Sequence, residues 1–257
     1  MATITIDIIS KLFRSRAYPE GLLALDNIRF GVADREFVCL VGPSGCGKST
    51  VLNLIGGLDR NYTGRIEIDS RPLSHDGSHP VRVGYVFQEP RLLPWLTVRK
   101  NIYFALESIG VPHSEWRQRT ETWLEKVGLA GFADSHPHEL SGGMQQRSAI
   151  ARAFAVDPEI LLMDEPFSGL DELTARSMRQ QILELWDTTR KTVLFVTHNS
   201  FEASYLADRI LVMSPRPGRL NQEMKVELPR PRDYESSQLF EFSVQVTRLL
   251  THGGNGM

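Results

Sequence analysis

The spacing of apolar positions changes along the chain, and these changes divide it into an α/β part, a helical part and a second α/β part. Residues 3–9 alternate apolar and polar, with Ile4, Ile6 and Ile8 apolar, as in a strand with one buried face. A weaker alternation over 23–30 predicts a second strand, and the proline and glycine of 18–21 predict a turn before it. Uninterrupted apolar runs predict strands buried on both faces at 37–41, 159–163, 192–197 and 209–213.

A helical period replaces the strand pattern from residue 92 to about residue 155. One helix is predicted from Thr97 to Gly110, a second with Ser114 as its N-cap, and a third over 144–155. No strand-like run separates these helices. The pattern therefore predicts a mostly helical subdomain, at about residues 89–156, inserted into an α/β core.

The pattern as a whole predicts an α/β fold with a mostly parallel sheet, because buried apolar strands alternate with helices. The early strands, together with a short one at 63–69, predict an antiparallel β part near the N-terminus. We expect one domain over 1–230 that contains the helical subdomain. A helical tail is expected over 231–257, with its amphipathic segment at 237–250.

Composition and charge exclude several classes of protein. The net charge of -2 gives no overall positive field, so nucleic acid is not an expected partner. Cys39 lies mid-strand and Cys46 in a loop, which predicts neither a disulfide framework nor a metal site and indicates a reducing compartment. Residues 1–16 lack the order of a signal peptide, and the apolar runs are too short to span a bilayer. We therefore expect a soluble chain whose membrane role depends on a partner.

The strongest local motif lies between the apolar run 37–41 and the helix that follows. It reads G-x-x-x-x-G-K-S, the pattern of a phosphate-binding P-loop. Glycines let successive backbone N–H groups curl around a phosphate, and the helix dipole faces the same anion. Lys48 adds a charge for the β- and γ-phosphates, and the Ser49 hydroxyl suits Mg²⁺. The residues of the motif are Gly42, Pro43, Ser44, Gly45, Cys46, Gly47, Lys48, Ser49 and Thr50.

Chemically useful residues also end two other apolar strands. Asp164 and Glu165 follow the run 159–163, and His198 follows 192–197. Ligands of open parallel sheets bind at the carboxyl ends of the strands, so we expect these groups to meet the P-loop. Asp164 can hold Mg²⁺, Glu165 can reach an attacking water, and His198 can contact the γ-phosphate or orient that water.

Three further candidates also have a purely structural interpretation, which is about as good for Gln88 and Tyr18 and is the better one for Ser141. Gln88 can bind Mg²⁺ or water through its carbonyl, or it is a polar strand end. Tyr18 can stack on a base, or it is a surface tyrosine in a turn. Ser141 and the glycines after it expose N–H groups to an anion at a helix start, although many ordinary helices begin with Ser-Gly.

Taken in order, the motifs GPSGCGKST, YVFQEP, LSGGMQQR, ILLMDEP, SGLD and VTH resemble those of the ABC transporter ATPases. The resemblance runs from about Ile4 to Arg219, and LSGGMQQR is highly specific to that family. It implies a P-loop NTPase core that binds ATP and Mg²⁺ and hydrolyses the ATP. The implied catalytic residues are Lys48, Gln88, Glu165 and His198, and the implied ligands of Mg²⁺ are Ser49, Gln88 and Asp164.

The resemblance also implies the individual roles of these residues. Asp164 corresponds to the Walker B aspartate, Glu165 to the catalytic base, and His198 to the switch histidine. Asp171 lies in the D-loop, and Tyr18 lies about where the family places its adenine-stacking aromatic. The remaining correspondences are Walker A at 42–50 and the Q-loop glutamine at Gln88.

A head-to-tail pair of subunits is a further implication of the resemblance. Ser141 and Gly143 of one subunit would contact the γ-phosphate held by the P-loop of the other. Two positions depart from the family pattern: Arg35 replaces a usual glycine, and Asn199 follows His198 where aspartate is common.

The resemblance implies a transporter subunit on the cytoplasmic face of the cell membrane. The segments 91–98 and 216–219 resemble the nitrate, sulfonate and taurine importer branch, which implies transmembrane permease subunits and a solute-binding protein as partners. Trp95 would line the groove that receives the permease, or it belongs to the core of the helical subdomain. Two other functions remain open at this point: a non-transport ABC ATPase and a regulatory nucleotide-binding module.

Overall fold

The computed structural model describes residues 2–16, 18–73 and 81–252. The chain forms two compact units, one made of residues 1–81 and 190–257 and the other of residues 82–189. The strands are β1 (Ile4–Ser15), β2 (Tyr18–Val32), β3 (Phe37–Val41), β4 (Thr63–Ile68), β5 (Arg71–Pro72), β6 (Val83–Val86), β7 (Ile160–Asp164), β8 (Thr192–Thr197), β9 (Arg209–Met213) and β10 (Leu220–Lys225). The helices are α1 (Lys48–Ile55), α2 (Val98–Ser108), α3 (His113–Lys126), α4 (Gly142–Ala155), α5 (Glu172–Thr189), α6 (Ser200–Leu206) and α7 (Ser237–His252), with 3₁₀ turns at Ala130–Phe132 and Pro137–Glu139.

An antiparallel sheet in the order β2-β1-β4-β5 forms one part of the first unit. The residues Ile4, Ile6 and Ile8 are buried, which confirms the expected alternation. The turn predicted at 18–21 is wrong, because these residues begin β2 and Tyr18 pairs with Ser15. Register shifts in β1 and a positive φ of 97° at Gly21 let the hairpin continue through a segment that reads locally as a turn.

The second sheet of this unit carries its strands in the order β10-β9-β3-β8. The central strand β3 is wholly buried and runs parallel to both β8 and β9. The edge strand β10 pairs antiparallel with β9, and its polar sequence carries no apolar pattern from which a strand would be predicted. Burial raises the pKa of the Cys39 thiol in β3 well above its ordinary value. Cys46 in the following loop is buried as well.

A tight turn precedes β3 at the position where Arg35 departs from the family pattern. Arg35 adopts a φ of 62°, the left-handed region that favours glycine. Its backbone N–H donates to Oγ1 of Thr192 at 2.9 Å. Arg35 therefore adopts the left-handed backbone conformation that glycine would favour in this turn. The hydrogen bond that it donates to the first residue of β8 supports this conformation.

The C-terminal helix α7 packs on α6 within the first unit. Its residues Leu239 and Val246 are buried, and the hydroxyls of Ser200 and Thr247 lie 2.5 Å apart. The boundary of the tail at residue 231 stays a prediction. No helix among the residues that the structure describes is long and apolar enough to cross a bilayer.

The second unit pairs β6 with β7 in parallel and contains the helices α2 to α5. Thr97 caps α2 and Ser141 caps α4, each accepting a backbone N–H at 3.3 Å. The cap predicted at Ser114 is wrong: α3 begins at His113, and its N-cap is Pro112, whose fixed φ is compatible with helix initiation. The boundaries 89–156 of the inserted subdomain stay a prediction.

Candidate functional site

The P-loop connects the buried strand β3 to α1, and two of its glycines have positive φ. Gly45 has a φ of 75° and Gly47, the N-cap of α1, a φ of 108°. A Cβ on Gly47 would also lie 2.5 Å from Cδ2 of Leu25. Backbone conformation and the packing of β2 both require glycine here. The loop thus has the tight strand-to-helix path that the motif predicts.

Lys48 is the first residue of α1, and it is buried. Its Nζ donates to the backbone oxygens of Gly42 at 2.9 Å and Pro43 at 3.2 Å. The ammonium group is therefore folded across the loop. No acidic side chain lies in the first turn of α1, so the positive end of its dipole is not neutralised within that turn. Phosphate oxygens suit this combination of a lysine and a helix N-terminus.

His198 lies beside the P-loop because of the strand register. Strands β3 and β8 are parallel neighbours, and Val41 is opposite Thr197. The next residues along the two strands are Gly42 of the P-loop and His198, which therefore emerge at one edge of the sheet on strands about 4.8 Å apart. The structure brings these two predicted elements together within the first unit.

Asn199 gives the segment after His198 firm support in place of the usual aspartate. Its Oδ1 accepts the backbone N–H groups of Phe201 at 2.9 Å and Glu202 at 3.1 Å, so it caps α6. Its own N–H donates to Oγ1 of Thr197, whose hydroxyl donates to Glu202 at 2.6 Å. The segment that follows His198 is thus held by hydrogen bonds of Asn199, although aspartate is common at this position in the family.

Tyr18 is exposed, but it lies far along β2 from the P-loop. Ala24 and Leu25 are the residues of β2 that abut Gly47. Leu25 is seven positions along the strand from Tyr18, roughly 23 Å at about 3.3 Å per residue. Phe13 is also exposed and pairs with Leu22, only about 10 Å along the strand from Leu25. The base-stacking role of Tyr18 stays a prediction, and Phe13 is a second candidate that sequence reasoning missed.

In the second unit, Asp164 ends the wholly buried strand β7, and Glu165 follows it with a φ of 42°. A left-handed conformation at a non-glycine residue costs about 1 kcal/mol or more and is common at functional sites. Burial raises the pKa of the Tyr85 hydroxyl, and the negative charge of the Asp164 carboxylate raises it further. The strand thus presents two adjacent carboxylates at its carboxyl end, as predicted.

Gln88 lies just after β6, and its Nε2 donates to Oγ of Ser168 at 3.2 Å. This contact links the predicted Q-loop to the predicted D-loop within one unit. Side chains of α4 hold the backbone of the same loop. Gln146 donates to the oxygen of Phe87 at 3.2 Å, and Arg152 donates to those of Pro90 at 2.9 Å and Arg91 at 2.8 Å.

Sequence reasoning did not single out Gln146 or Arg152. Both are polar residues on a helix whose buried positions are mostly apolar, and Gln146 is itself buried. Buried polar residues at regular helical positions require partners, which is the signal that could have identified them.

The glycine-rich start of α4 packs against the start of α5. A Cβ on Gly143 would lie 2.9 Å from Cγ2 of Thr174. The backbone N–H of Thr174 donates to Oδ1 of Asp171 at 3.0 Å, and hydrogen bonds from Thr174 lower the pKa of Asp171. The structure therefore brings Ser141, Gly143 and Asp171 into one neighbourhood of the second unit.

The predicted metal ligands are Ser49, Gln88 and Asp164. They offer hydroxyl, amide and carboxylate oxygens, the donor types that Mg²⁺ prefers. Among residues 2–16, 18–73 and 81–252, no group of three or more His, Cys, Asp and Glu side chains is arranged to hold a metal. A single carboxylate with neutral oxygens fits Mg²⁺ that is bound mainly through nucleotide phosphates.

Comparison with known proteins gives a consistent result over most of the chain. A family model described as ABC transporter matches residues 25–168. An uncharacterised ABC transporter ATP-binding protein of Methanocaldococcus jannaschii is 42% identical over 247 residues, which is 96% of this chain and 91% of that protein. An aliphatic sulfonates import ATP-binding protein, SsuB of Bacillus cereus, is 39% identical over 252 residues, 98% of this chain and 97% of that protein.

A solved structure shares the fold. A dimeric ATP-binding cassette in a post-hydrolysis state, bound to ADP and Pi, has a TM-score of 0.76 and 34% identity, and the match covers 88% of this chain and 100% of that one. The expected α/β fold of the P-loop NTPases is thereby confirmed. Together with the P-loop, these similarities show that the chain belongs to the ABC transporter family and is one of its ATP-binding ATPase subunits.

Proposed function

We propose that this ATPase drives solute import, hydrolysing MgATP at the interface of a head-to-tail dimer and passing the resulting motion to separate membrane subunits. The register of β3 and β8 is the observation that carries the hydrolytic part of the proposal. It makes the P-loop and His198 neighbours at one edge of the sheet. The loop would bind the phosphates of ATP, and His198 would contact the terminal phosphate.

In this mechanism the P-loop and Lys48 bind the β- and γ-phosphates of ATP. The Lys48 ammonium exchanges its backbone partners, Gly42 and Pro43, for phosphate oxygens. Ser49, Asp164 and Gln88 would hold Mg²⁺, which neutralises charge on the phosphates when it is bound. Positioning and electrostatic stabilisation account for most of the catalysis in phosphoryl transfer.

Glu165 is proposed to orient the attacking water and to accept its proton. The water oxygen forms a bond to the γ-phosphorus, and the bond from that phosphorus to the β–γ bridging oxygen breaks, giving ADP and inorganic phosphate. His198 donates a hydrogen bond to the γ-phosphate and so stabilises the charge that develops there. The constrained backbone of Glu165, with its φ of 42°, supports a functional position for this carboxylate.

Ser141 and Gly143 are proposed to complete the site of a second subunit. Ser141 is exposed and caps α4, and no acidic residue lies in the first turn of that helix. A helix start of this kind binds anions through its N–H groups and dipole. The dimeric state of the solved cassette described above supports pairing of two such subunits.

The membrane partner is proposed to dock on the segment 92–97. Trp95 in this segment is 71% exposed, which argues against its alternative place in the subdomain core. The full-length similarity to SsuB supports an organic anion of the sulfonate type as the solute, delivered by a solute-binding protein and imported across the cell membrane. The subunit would then work at the cytoplasmic face of that membrane.

Steady-state ATP hydrolysis as a function of protein concentration tests the catalytic proposal. We expect the specific activity to rise with concentration as dimers form, and Glu165→Gln to abolish hydrolysis while stabilising an ATP-bound dimer in size-exclusion chromatography. A regulatory module would bind ATP without turnover, in the wild type as in the variant.

Sulfonate-dependent growth of cells that express the chain with its membrane subunits tests the transport proposal. Trp95→Glu should abolish growth on the sulfonate while ATP hydrolysis by the isolated subunit persists. Normal growth and normal assembly of Trp95→Glu would refute docking at this segment.

A further inference from the structure

The turn between β9 and β10, residues 214–219, is internally braced. The N–H of Ser214 donates to the backbone oxygen of Arg219 at 2.9 Å, and Oγ of Ser214 accepts the N–H of Arg219 at 3.0 Å. The same hydroxyl lies within hydrogen-bond distance of the oxygens of Pro215 and Pro217, at 3.0 and 3.2 Å. The turn therefore presents its outer side chains from a defined backbone.

This turn is also attached to β2. The N–H of Gly218 donates to the oxygen of Ala24, and the N–H of Asp26 donates to the oxygen of Gly218, both at 2.9 Å. The guanidinium of Arg219 binds the Asp26 carboxylate, with Nε at 2.9 Å. Arg219 therefore helps to attach the turn to β2, whereas Arg216 makes a different contact.

The turn lies directly on the P-loop. A Cβ on Gly218 would be 2.1 Å from the backbone oxygen of Cys46, so only glycine fits at this contact. Next to it, Nε and Nη2 of Arg216 donate to the backbone oxygen of Gly45 at 3.2 and 3.0 Å. Two N–H groups of one guanidinium thus donate to the same backbone carbonyl of the P-loop.

That carbonyl belongs to a peptide group that is held at both ends. The N–H of the same peptide, on Cys46, donates to the oxygen of Pro43 at 3.3 Å. Gly45 has a φ of 75° and no side chain, so its backbone is intrinsically permissive and these hydrogen bonds help to fix its orientation. The orientation of peptides in a P-loop matters because the loop binds phosphate through its N–H groups.

We propose that Arg216 is a positioning residue of the nucleotide site, acting through the peptide between Gly45 and Cys46. The proposal rests on the proposed function of the P-loop in binding ATP. The planar guanidinium offers two N–H groups to one oxygen, which a lysine ammonium cannot reproduce with the same geometry. By holding this peptide before the nucleotide arrives, Arg216 reduces the ordering that ATP binding requires.

Titration of the purified full-length chain with ATP and with ADP tests the inference, using Arg216→Ala, Arg216→Lys and the matched control Arg219→Ala. The control removes a guanidinium from the same turn, but one that contacts Asp26 and not the P-loop. We expect Arg216→Ala to weaken ATP binding about 5-fold and Arg216→Lys about 2-fold, in line with hydrogen bonds from a charged, exposed donor. KM should rise by the same factors while kcat changes less.

Arg219→Ala should lower the melting temperature through the loss of its ion pair and leave the ATP affinity within about 2-fold of wild type. The inference is overturned if Arg216→Ala binds ATP as tightly as wild type, or if Arg219→Ala weakens binding equally. A wild-type chain that binds no ATP, or binds it as well after Lys48→Ala, would overturn the proposed function and this inference with it.

Discussion

The α-carbon of Gly143 lies so close to Thr174 that a methyl group on it would come within 2.9 Å of Cγ2. Gly142, one residue earlier, has no such neighbour within 4 Å. Two adjacent glycines in the same first turn therefore face different surroundings. The contact ties the start of α4 to the start of α5, where Thr174 also binds Asp171.

This difference predicts opposite effects of alanine at the two glycines. Gly142→Ala should leave the free energy of unfolding unchanged or raise it by up to about 1 kcal/mol, because alanine favours helix. Gly143→Ala should lower it by about 1–2 kcal/mol through the clash with Thr174. Chemical denaturation measures both. Thr174→Ser, which removes Cγ2 and keeps the hydroxyl, should restore stability to Gly143→Ala; no restoration would mean that the contact is not the cause.

Arg152 should contribute strongly to stability through its contacts with the loop that follows Gln88. Its guanidinium holds the oxygens of Pro90 and Arg91, and burial lowers its pKa. Arg152→Ala leaves these carbonyls without their donors, and we expect a loss of about 1–3 kcal/mol in urea unfolding. Arg117→Ala is the control, because that residue is exposed and pairs only at the surface with Glu121, so its effect should stay within about 0.5 kcal/mol. Equal effects of the two would contradict the assignment.

Phe13 and Tyr18 are predicted to differ in their effect on nucleotide affinity. Phe13 lies closer to the P-loop along the hairpin, and removal of an aromatic ring that stacks on a base costs about 1–3 kcal/mol. Phe13→Ala should therefore raise the Kd for ATP roughly 5-fold or more, and Tyr18→Ala should change it little. Equilibrium titration with a fluorescent ATP analogue measures both. The reverse result would restore Tyr18 as the stacking residue.

Cys39 should make stability fall at alkaline pH. Its pKa is raised by burial in the folded protein, so its contribution is fully present below the ordinary thiol pKa and is lost as the pH rises above it, when only the unfolded chain releases the proton. The free energy of unfolding should decrease by up to about 1.4 kcal/mol per pH unit above pH 9 on account of this group. Urea unfolding of wild type and Cys39→Ala between pH 7.5 and 10 should show a shallower slope for the variant. Identical slopes would exclude Cys39 as the source.

Local patterns predicted the elements whose burial is regular. The alternation in β1 indicates a strand with one buried face, and the continuous apolar run of β3 indicates a strand buried on both faces. Both strands occur as expected. Strand β10 was missed because it is a polar edge strand, stabilised by pairing with β9 and not by burial. The segment at Tyr18 was predicted to turn because proline and glycine act locally, whereas pairing across the hairpin keeps it extended.

The sequence by itself determined the P-loop, the carboxylates that end β7 and the caps of α2 and α4. In each of these, neighbouring residues along the chain supply both the backbone path and the chemical groups. Only the tertiary structure decided which distant groups meet. The register of β3 with β8 puts His198 beside the loop, and Arg216 reaches Gly45 across 171 residues of sequence. Such contacts depend on the path of the whole chain. The periodicity of apolar residues indicates that a side chain is buried, but not which distant residues pack against it.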